Sequence, residues 1–188
     1  MPRIICFDTE TTGLSWRRGD RVVEIGAVEL DEDFRIIRRF QTYLNPGRPC
    51  SPAARAVHGL TDAFLATQPK FIEVAPEFLD FVRGATLVAH NAAFDTGFVN
   101  NELCRVRLPG LTACGCEIVD TLRIARRLYP NAHRGLNDLC IRFGVDISGR
   151  ALHGALLDSE LLAGVYRGLL EDQKRIEEAT ERSVAFGL

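Results

Sequence analysis

The sequence predicts an α/β fold, a single domain in which a mixed five-stranded sheet is flanked by helices. Two observations lead to this prediction. Three strand-like segments joined by short connections fill the first quarter of the chain, and helical and strand-like segments alternate after them. The chain has 188 residues, 46% of them hydrophobic and 26% charged, which suits one globular domain with a sizeable core.

The three amino-terminal strands are predicted from runs of apolar, β-branched and aromatic residues. Residues 3–8 form a short apolar run, and a polar loop that contains glycine follows over 11–20. Two further strands are predicted over 22–30 and 34–44, separated by the acidic turn at 31–33. Because the connections are short, we expect these strands to form an antiparallel meander.

Helix signals begin near residue 50. Ser51 precedes a proline, as at a capped helix start, and Thr61 can cap a second short helix. Helical spacing over 69–83 ends at Gly84, and Pro76 should kink or divide that helix. The remaining predicted elements are strands over 86–89 and 117–119 and helices over 94–106, 121–128, 136–143 and about 153–170.

The composition excludes several classes of protein. With 23 basic and 25 acidic residues the net charge is −2, which argues against binding nucleic acid through bulk positive charge. No segment has the length of a membrane span or the pattern of a secretion signal. Six scattered cysteines in a chain of this size indicate thiols in a reducing compartment. We therefore expect a cytoplasmic protein with no membrane partner.

The first segment with candidate chemistry closes the first predicted strand. Asp8 and Glu10 are two residues apart, so on a strand both carboxylates can point to the same face. Two such acids at the end of a buried strand repel each other and require a cation. Gly13 follows in a hydroxyl-rich turn and would allow a ligand to approach the backbone closely. A solvated strand end is the alternative for the acidic pair taken alone.

The second segment, residues 90–95, stands where the fourth strand ends and a helix begins, a common ligand site in α/β sheets. For Asp95 taken alone, the alternative is an acid at a helix N-terminus that is stabilised by the helix dipole and has no ligand. The third segment opens the last long helix and contains His153 and Asp158, whose Cα atoms would lie about 7.5 Å apart along a helix axis. This spacing lets Asp158 hold a metal while His153 reaches a water, the alternative being a helix-start histidine and an arginine-paired acid.

Together and in this order, the three segments resemble the DEDDh (DnaQ-like) 3′-to-5′ exonucleases, and within that family the epsilon-type proofreading subunits of bacterial DNA polymerase III. The matching segments are 7–13, 90–95 and 153–158, with support from 23–28, 57–60 and 120–122. The resemblance implies an RNase H-like fold. It covers about residues 3–170. Residues 1–170 are therefore predicted to form the exonuclease domain, and residues 171–188 a flexible acidic tail.

The resemblance also implies roles for the matching residues. Asp8, Glu10, Asp95 and Asp158 would hold two divalent ions, Mg²⁺ or Mn²⁺, for which all-oxygen ligands are suitable. His153 would act as the general base, which completes an implied catalytic set of five. Packing is an equal alternative for two of the implied substrate contacts, Leu14 and Leu60. The implied contacts to the terminal nucleotide are Thr9, Gly13, Leu14, Val57, His58, Leu60, Asn91 and Phe94.

The activity implied is metal-dependent release of nucleoside 5′-monophosphates from single-stranded or frayed DNA 3′ ends, as in replicative proofreading. One alternative is a 3′-to-5′ exoribonuclease of the RNase T or oligoribonuclease type, since the motifs are shared. A second is a non-catalytic subunit that binds single-stranded ends. The presence of all five implied catalytic residues favours an enzyme over that subunit.

The partners implied are a single-stranded DNA 3′ end and, for the epsilon-type group, the DNA polymerase III alpha subunit and the sliding clamp. Full epsilon subunits continue past the position where this sequence ends, which leaves association with a polymerase open. Val184 and Phe186 lie in a stretch that resembles the apolar end of a clamp-binding peptide, although Glu181 stands where such peptides carry glutamine. An apolar tail without this role is the alternative.

Overall fold

The computed structural model describes residues 3–149 and 152–185 and confirms the predicted α/β fold with a mixed sheet. The five strands lie in the order β3-β2-β1-β4-β5. β1, β2 and β3 form the predicted antiparallel meander, and β4 and β5 extend the sheet in parallel. The strands are β1 (Ile4–Thr11), β2 (Val22–Leu30), β3 (Ile36–Tyr43), β4 (Thr86–Ala89) and β5 (Glu117–Asp120).

Helices cover both faces of this sheet, and β2 is therefore buried along its whole length. Side chains of β1 alternate between the two faces: Ile5 and Phe7 pack with α3 and α4, whereas Cys6 packs with α7. Ser51 and Thr61 cap α1 and α2 as predicted. The helices of the described residues are α1 (Pro52–His58), α2 (Asp62–Ala66), α3 (Phe71–Val82), α4 (Ala92–Arg105), α5 (Thr121–Leu128), α6 (Leu136–Phe143) and α7 (Ala155–Ala185).

The first strand is longer than predicted, and this places the acidic pair inside β1. Glu10 pairs with Glu24 and Thr11 with Val22, so backbone pairing to β2 continues through residues whose polarity indicated a loop. On the other edge of β1, pairing to β4 stops at Cys6. The last part of β1 therefore has a strand on one side and an opening on the other, which is where ligands bind in open α/β sheets.

Two helices also differ from the prediction. Pro76 does not divide α3, because it is the sixth residue of that helix and removes a single hydrogen bond near its start. The last helix does not end near residue 170 but runs to Ala185. Tyr129 donates a 2.6 Å hydrogen bond to Asp172, which fixes this part of α7 to the domain. Phe186, at the end of the clamp-like stretch, lies outside the described residues, and in the described part of the chain no helix is long and apolar enough to cross a membrane.

Candidate active site

Four carboxylates from three elements face one cavity of about 650 Å³. Asp8 and Glu10 come from β1, Asp95 from the first turn of α4, and Asp158 from the first turn of α7. The cavity lies beside the part of β1 that β4 leaves uncovered. The structure thus brings together the acidic residues of all three segments singled out in the sequence.

The surroundings of these acids disfavour their charged forms. Burial, with a smaller contribution from the neighbouring carboxylate of Asp95, holds the pKa of Asp8 well above its usual range. Burial also raises the pKa of Asp95 to about 7, even though Thr9 donates its hydroxyl (2.7 Å) and its backbone N–H (3.0 Å) to Oδ1 of that residue. A bound cation would lower both pKa values and stabilise the cluster.

His153 lies at the mouth of the cavity, just before α7. Its side chain is 47% exposed, and its Nδ1 atom is 3.3 Å from Oδ2 of Asp158. The backbone N–H of His153 donates to the carbonyl of Val57 at 3.1 Å. One ligand atom each from Glu10, His153 and Asp158 lie within 4.8 Å of one another, a spacing that a single metal ion can bridge.

Glu24 positions the helix that carries Asp158, and the sequence analysis missed it. The side chain is buried on β2, and Oε2 accepts the backbone N–H of Ala155 at the start of α7 (3.2 Å). Gln41 donates to Oε1 at 2.8 Å. Burial raises the pKa of Glu24. An acid inside a strand of mostly apolar residues was the available signal, because a buried carboxylate requires partners.

The first turn of α7 also lies directly on the backbone of β2. A Cβ atom at Gly26 would overlap the backbone of Ala155 and Leu156, so only glycine allows this approach. Ser159 donates its hydroxyl to the carbonyl of Gly26 at 2.9 Å. Contacts on both sides of Asp158 therefore set its place relative to β1.

Most of the predicted nucleotide contacts line the cavity, but Leu60 does not belong to them. It is partly buried and packs against the small cluster of Val23, Cys50 and Leu65, as the packing alternative expects, and its contact with substrate stays a prediction. Gly59 before it has φ +72° and ends α1, with its backbone N–H donated to the carbonyl of Arg55. The predicted residues that do line the cavity are Thr9, Gly13, Leu14, Val57, His58, Asn91 and Phe94.

His58 presents a buried donor to the cavity. Its Nδ1 accepts the backbone N–H of Leu60 at 3.0 Å, so the proton of the neutral ring is on Nε2. Burial lowers the pKa of His58, and the backbone of Thr11 raises it by a smaller amount. Nε2 has no hydrogen-bond partner among the described residues. A buried donor without a partner is costly, and an acceptor on a ligand would satisfy it.

The turn before α4 forms another wall. Asn91 has a φ of +69°, a left-handed conformation that asparagine tolerates better than most residues, and its N–H donates to Asp120 at 3.2 Å. His90, also in the wall, contacts the hydroxyl of Thr121 at 2.9 Å, and burial lowers its pKa. Burial therefore disfavours the charged form of His90, and the backbone next to it adopts the left-handed conformation at Asn91.

The comparisons agree with this arrangement. Residues 5–166 match the model of the exonuclease family of the RNase T type. Over 189 residues the chain is 44% identical to DNA polymerase III subunit epsilon of Haemophilus influenzae, covering 97% of this chain and 74% of that protein. The epsilon subunit of Escherichia coli is 43% identical over 185 residues, 95% and 76% of the two chains. A structure of exonuclease X with 5′ overhanging duplex DNA has a TM-score of 0.69 and 29% identity, covering 89% of this chain and 91% of that one.

The fold and the matches define the class as an exonuclease with an RNase H-like fold. The chain belongs to the exonuclease family, in its DnaQ-like branch, and it is a 3′-to-5′ exonuclease that is similar to epsilon subunits of DNA polymerase III.

Proposed function

We propose that the protein removes nucleotides from single-stranded or frayed DNA 3′ ends as a proofreading nuclease, with Asp8, Glu10, Asp95 and Asp158 holding two Mg²⁺ or Mn²⁺ ions and His153 acting as general base. The observation that carries this proposal is the convergence of these five side chains on one cavity. The similarity to epsilon subunits supports DNA as the substrate over RNA.

The residues present fit divalent metal. Ligand atoms of Glu10 and Asp158 lie within 4.8 Å of each other, and the raised pKa of Asp8 reflects burial next to other carboxylates, a cost that bound cations relieve. Carboxylate oxygens are preferred by Mg²⁺ and Mn²⁺. When bound, two such ions lower the pKa of an attacking water and offset charge on the phosphate. Exonuclease I of Escherichia coli, which has a similar fold, has a crystal structure of its complex with single-stranded DNA in a zinc-bound form.

His153 would take the proton of the attacking water. With Nδ1 at 3.3 Å from Asp158, the neutral ring carries its proton on Nδ1 and has its accepting lone pair on Nε2. Its exposed position at the mouth of the cavity gives a route for that proton to solvent. Asp158 would thereby orient the base as well as contribute to metal binding.

The walls of the cavity would hold the terminal nucleotide. Nε2–H of His58 is a buried donor for a sugar or phosphate oxygen, and Phe94 offers a ring edge or face to a base. Phe94 is itself supported by Phe98, with ring centroids 4.8 Å apart. Contacts of this type are independent of base identity, as removal of any nucleotide requires.

The relatives are named as polymerase subunits, and we extend the proposal to association with a DNA polymerase III alpha subunit and a sliding clamp. Val184 and Phe186 are the residues proposed for clamp contact. This chain matches about three quarters of the length of those relatives.

The test is release of mononucleotides from a primer–template with a mismatched 3′ end, in Mg²⁺ and after chelation. We expect dNMP products, faster release from the mismatched than from the matched end, and acceleration of proofreading by the cognate polymerase. RNA and DNA oligonucleotides of the same sequence are compared in parallel, because the 2′-hydroxyl separates the two substrates at one site. Faster degradation of RNA would assign the protein to the exoribonuclease type instead, and product formation in chelator would refute the metal-dependent mechanism.

A further inference from the structure

One cation, Arg18, lines the cavity from the loop formed by residues 13–20, which connects β1 to β2. In this loop a turn of 3-10 helix, Trp16–Arg18, ends at Gly19 in a left-handed conformation with φ +87°. Leu14, at the start of the loop, is 87% exposed. The loop therefore forms a rim of the cavity and presents one apolar and one cationic side chain.

The backbone of this loop is held at several points. The Asp20 carboxylate accepts the backbone N–H of Ser15 (3.0 Å) and the hydroxyl of Thr12 (3.2 Å), and it pairs with Arg48 at 3.3 Å. These bonds close the loop on itself. Little conformational entropy would be lost at its backbone when a ligand binds.

Trp16 fixes the same loop to the helix that carries Asp95. Its indole packs against the main core and lies on Gly97, two residues after Asp95, where a Cβ atom would come within 2.5 Å of Nε1. The Arg18 backbone therefore has a defined position relative to the carboxylate cluster, which a mobile loop would not provide.

Arg18 is available for a ligand. It is exposed, and the ion pairs found among the described residues do not include it, whereas Arg48 and Arg55 pair with Asp20 and Asp62. It is the one arginine or lysine among the described residues that line the cavity. Apart from the three histidines, the other ionisable groups of the described lining are carboxylates, so within the described residues the attractive charge that a polyanionic strand meets at the rim is that of Arg18.

We propose that Arg18 binds a backbone phosphate of the substrate strand on the 5′ side of the scissile bond, an inference that rests on the proposed nuclease function. The scissile phosphate itself belongs with the four carboxylates and their metal ions. A guanidinium suits the remaining phosphodiester because its planar fork can donate two parallel hydrogen bonds. Contact with the next phosphate would hold the strand in register for each successive cut.

The neighbouring arginine provides a matched control. The Arg17 guanidinium lies 5.0 Å from the centroid of the Trp16 ring, and the side chain is exposed without lining the cavity. Arg17→Ala and Arg18→Ala change the net charge equally and belong to the same turn. A general electrostatic effect would appear in both variants, and a phosphate contact only in the second.

The experiment compares two substrates in Mn²⁺ or Mg²⁺: a (dT)10 oligonucleotide and the p-nitrophenyl ester of thymidine 5′-monophosphate, which contains no second phosphodiester. We expect Arg18→Ala to raise KM for (dT)10 roughly three- to tenfold more than it raises KM for the ester. The dependence of log KM for (dT)10 on log salt should weaken by about 0.7, the value for one lost phosphate contact on a single strand. Arg18→Lys should recover part of the affinity, since the charge remains and the fork is lost.

The outcomes separate this inference from the proposed function. Equal changes in Arg17→Ala and Arg18→Ala, or equal changes for the oligonucleotide and the ester, would overturn the role of Arg18 while the nuclease assignment stands. Failure of the unmodified protein to hydrolyse either substrate with metal present would overturn the proposed function itself.

Discussion

The carboxylate wall of the cavity, formed by β1 and the start of α4, is largely buried, and Asp95 within it is hydrogen-bonded to β1, whereas the histidine side just before α7 is exposed. Asp95 is 2% exposed and receives two hydrogen bonds from Thr9. The side chain of His153 is 47% exposed, and its backbone is held by a bond to Val57. Charges that must hold cations benefit from rigid, dry surroundings, and a group that exchanges protons benefits from contact with water.

The two sides also differ in how their positions are set. On the carboxylate wall the pleat of β1 itself aligns Asp8 with Glu10. Asp158 depends on long-range contacts, because Glu24 and Gly26 of β2 fix the start of α7. The comparison predicts that loss of a carboxylate abolishes activity. Loss of the histidine should reduce activity and change its pH profile. Loss of a buried charge should change the melting temperature without changing the fold.

The largest effect is expected for the carboxylates. Asp158→Ala should lower kcat by at least about a thousandfold in Mg²⁺, because one side chain contributes both to metal binding and to the orientation of His153. Asp8→Ala should behave in the same way. The measurement is dNMP release in single turnover, with circular dichroism to verify folding.

Glu160→Gln is the matched control for Asp158. It lies on the same helix and its carboxylate pairs at the surface with Arg39 at 2.7 Å, outside the cavity. We expect less than a twofold change in kcat for this variant. Comparable activity of Asp158→Ala and Glu160→Gln would remove Asp158 from the proposed metal site.

The difference between the two sides also explains what the sequence could predict. The resemblance of the three segments to the exonuclease family indicated the acidic residues, and the alternation of β1 needs no tertiary information to put Asp8 and Glu10 on one face. Glu24 was missed because its role depends on α7 crossing β2, 131 residues away. For Leu60 the sequence left packing and substrate contact equally open, because its surroundings depend on how the segment after Gly59 packs on Val23, Cys50 and Leu65.

The same limit applies to the last helix. Its charged residues indicated a tail after residue 170, yet pairs at helical spacing such as Arg167 with Glu171 (2.9 Å) support continuation of α7. The contact of Tyr129 with Asp172 adds a tertiary bond that composition does not reveal. The charge pattern of this segment therefore did not reveal that the helix continues to Ala185.

A smaller effect is expected at the exposed side. His153→Gln should lower kcat by about a hundredfold and remove the rise of kcat through the pH range in which histidine titrates, because glutamine cannot accept the proton. His133→Gln, a change at an exposed histidine outside the cavity, should leave the pH profile as it is. A rise of kcat with pH that survives in His153→Gln would contradict its role as the base.

The smallest effect, on stability, tests the buried wall without reference to activity. In metal-free protein the pKa of Asp95 is about 7, above the value near 3.9 of an unfolded aspartate, so the folded state binds more protons between these pH values. The contribution of this group to stability is complete below pH 4 and is lost as the pH rises through 7. Asp95→Asn keeps an Oδ1 acceptor for Thr9 and removes the titration.

We therefore expect metal-free Asp95→Asn to melt about 3–6 °C above the unchanged protein at pH 8, and the difference to vanish near pH 4. His58 and His90, whose pKa values burial lowers, titrate in both proteins and cancel in the comparison. Mg²⁺ at pH 8 should raise the melting temperature of the unchanged protein more than that of the variant, since the cation offsets a charge that the variant lacks. Identical melting curves of the two metal-free proteins at pH 8 would mean that the charge of Asp95 does not destabilise the folded state. The two sides of the cavity would then differ in exposure alone.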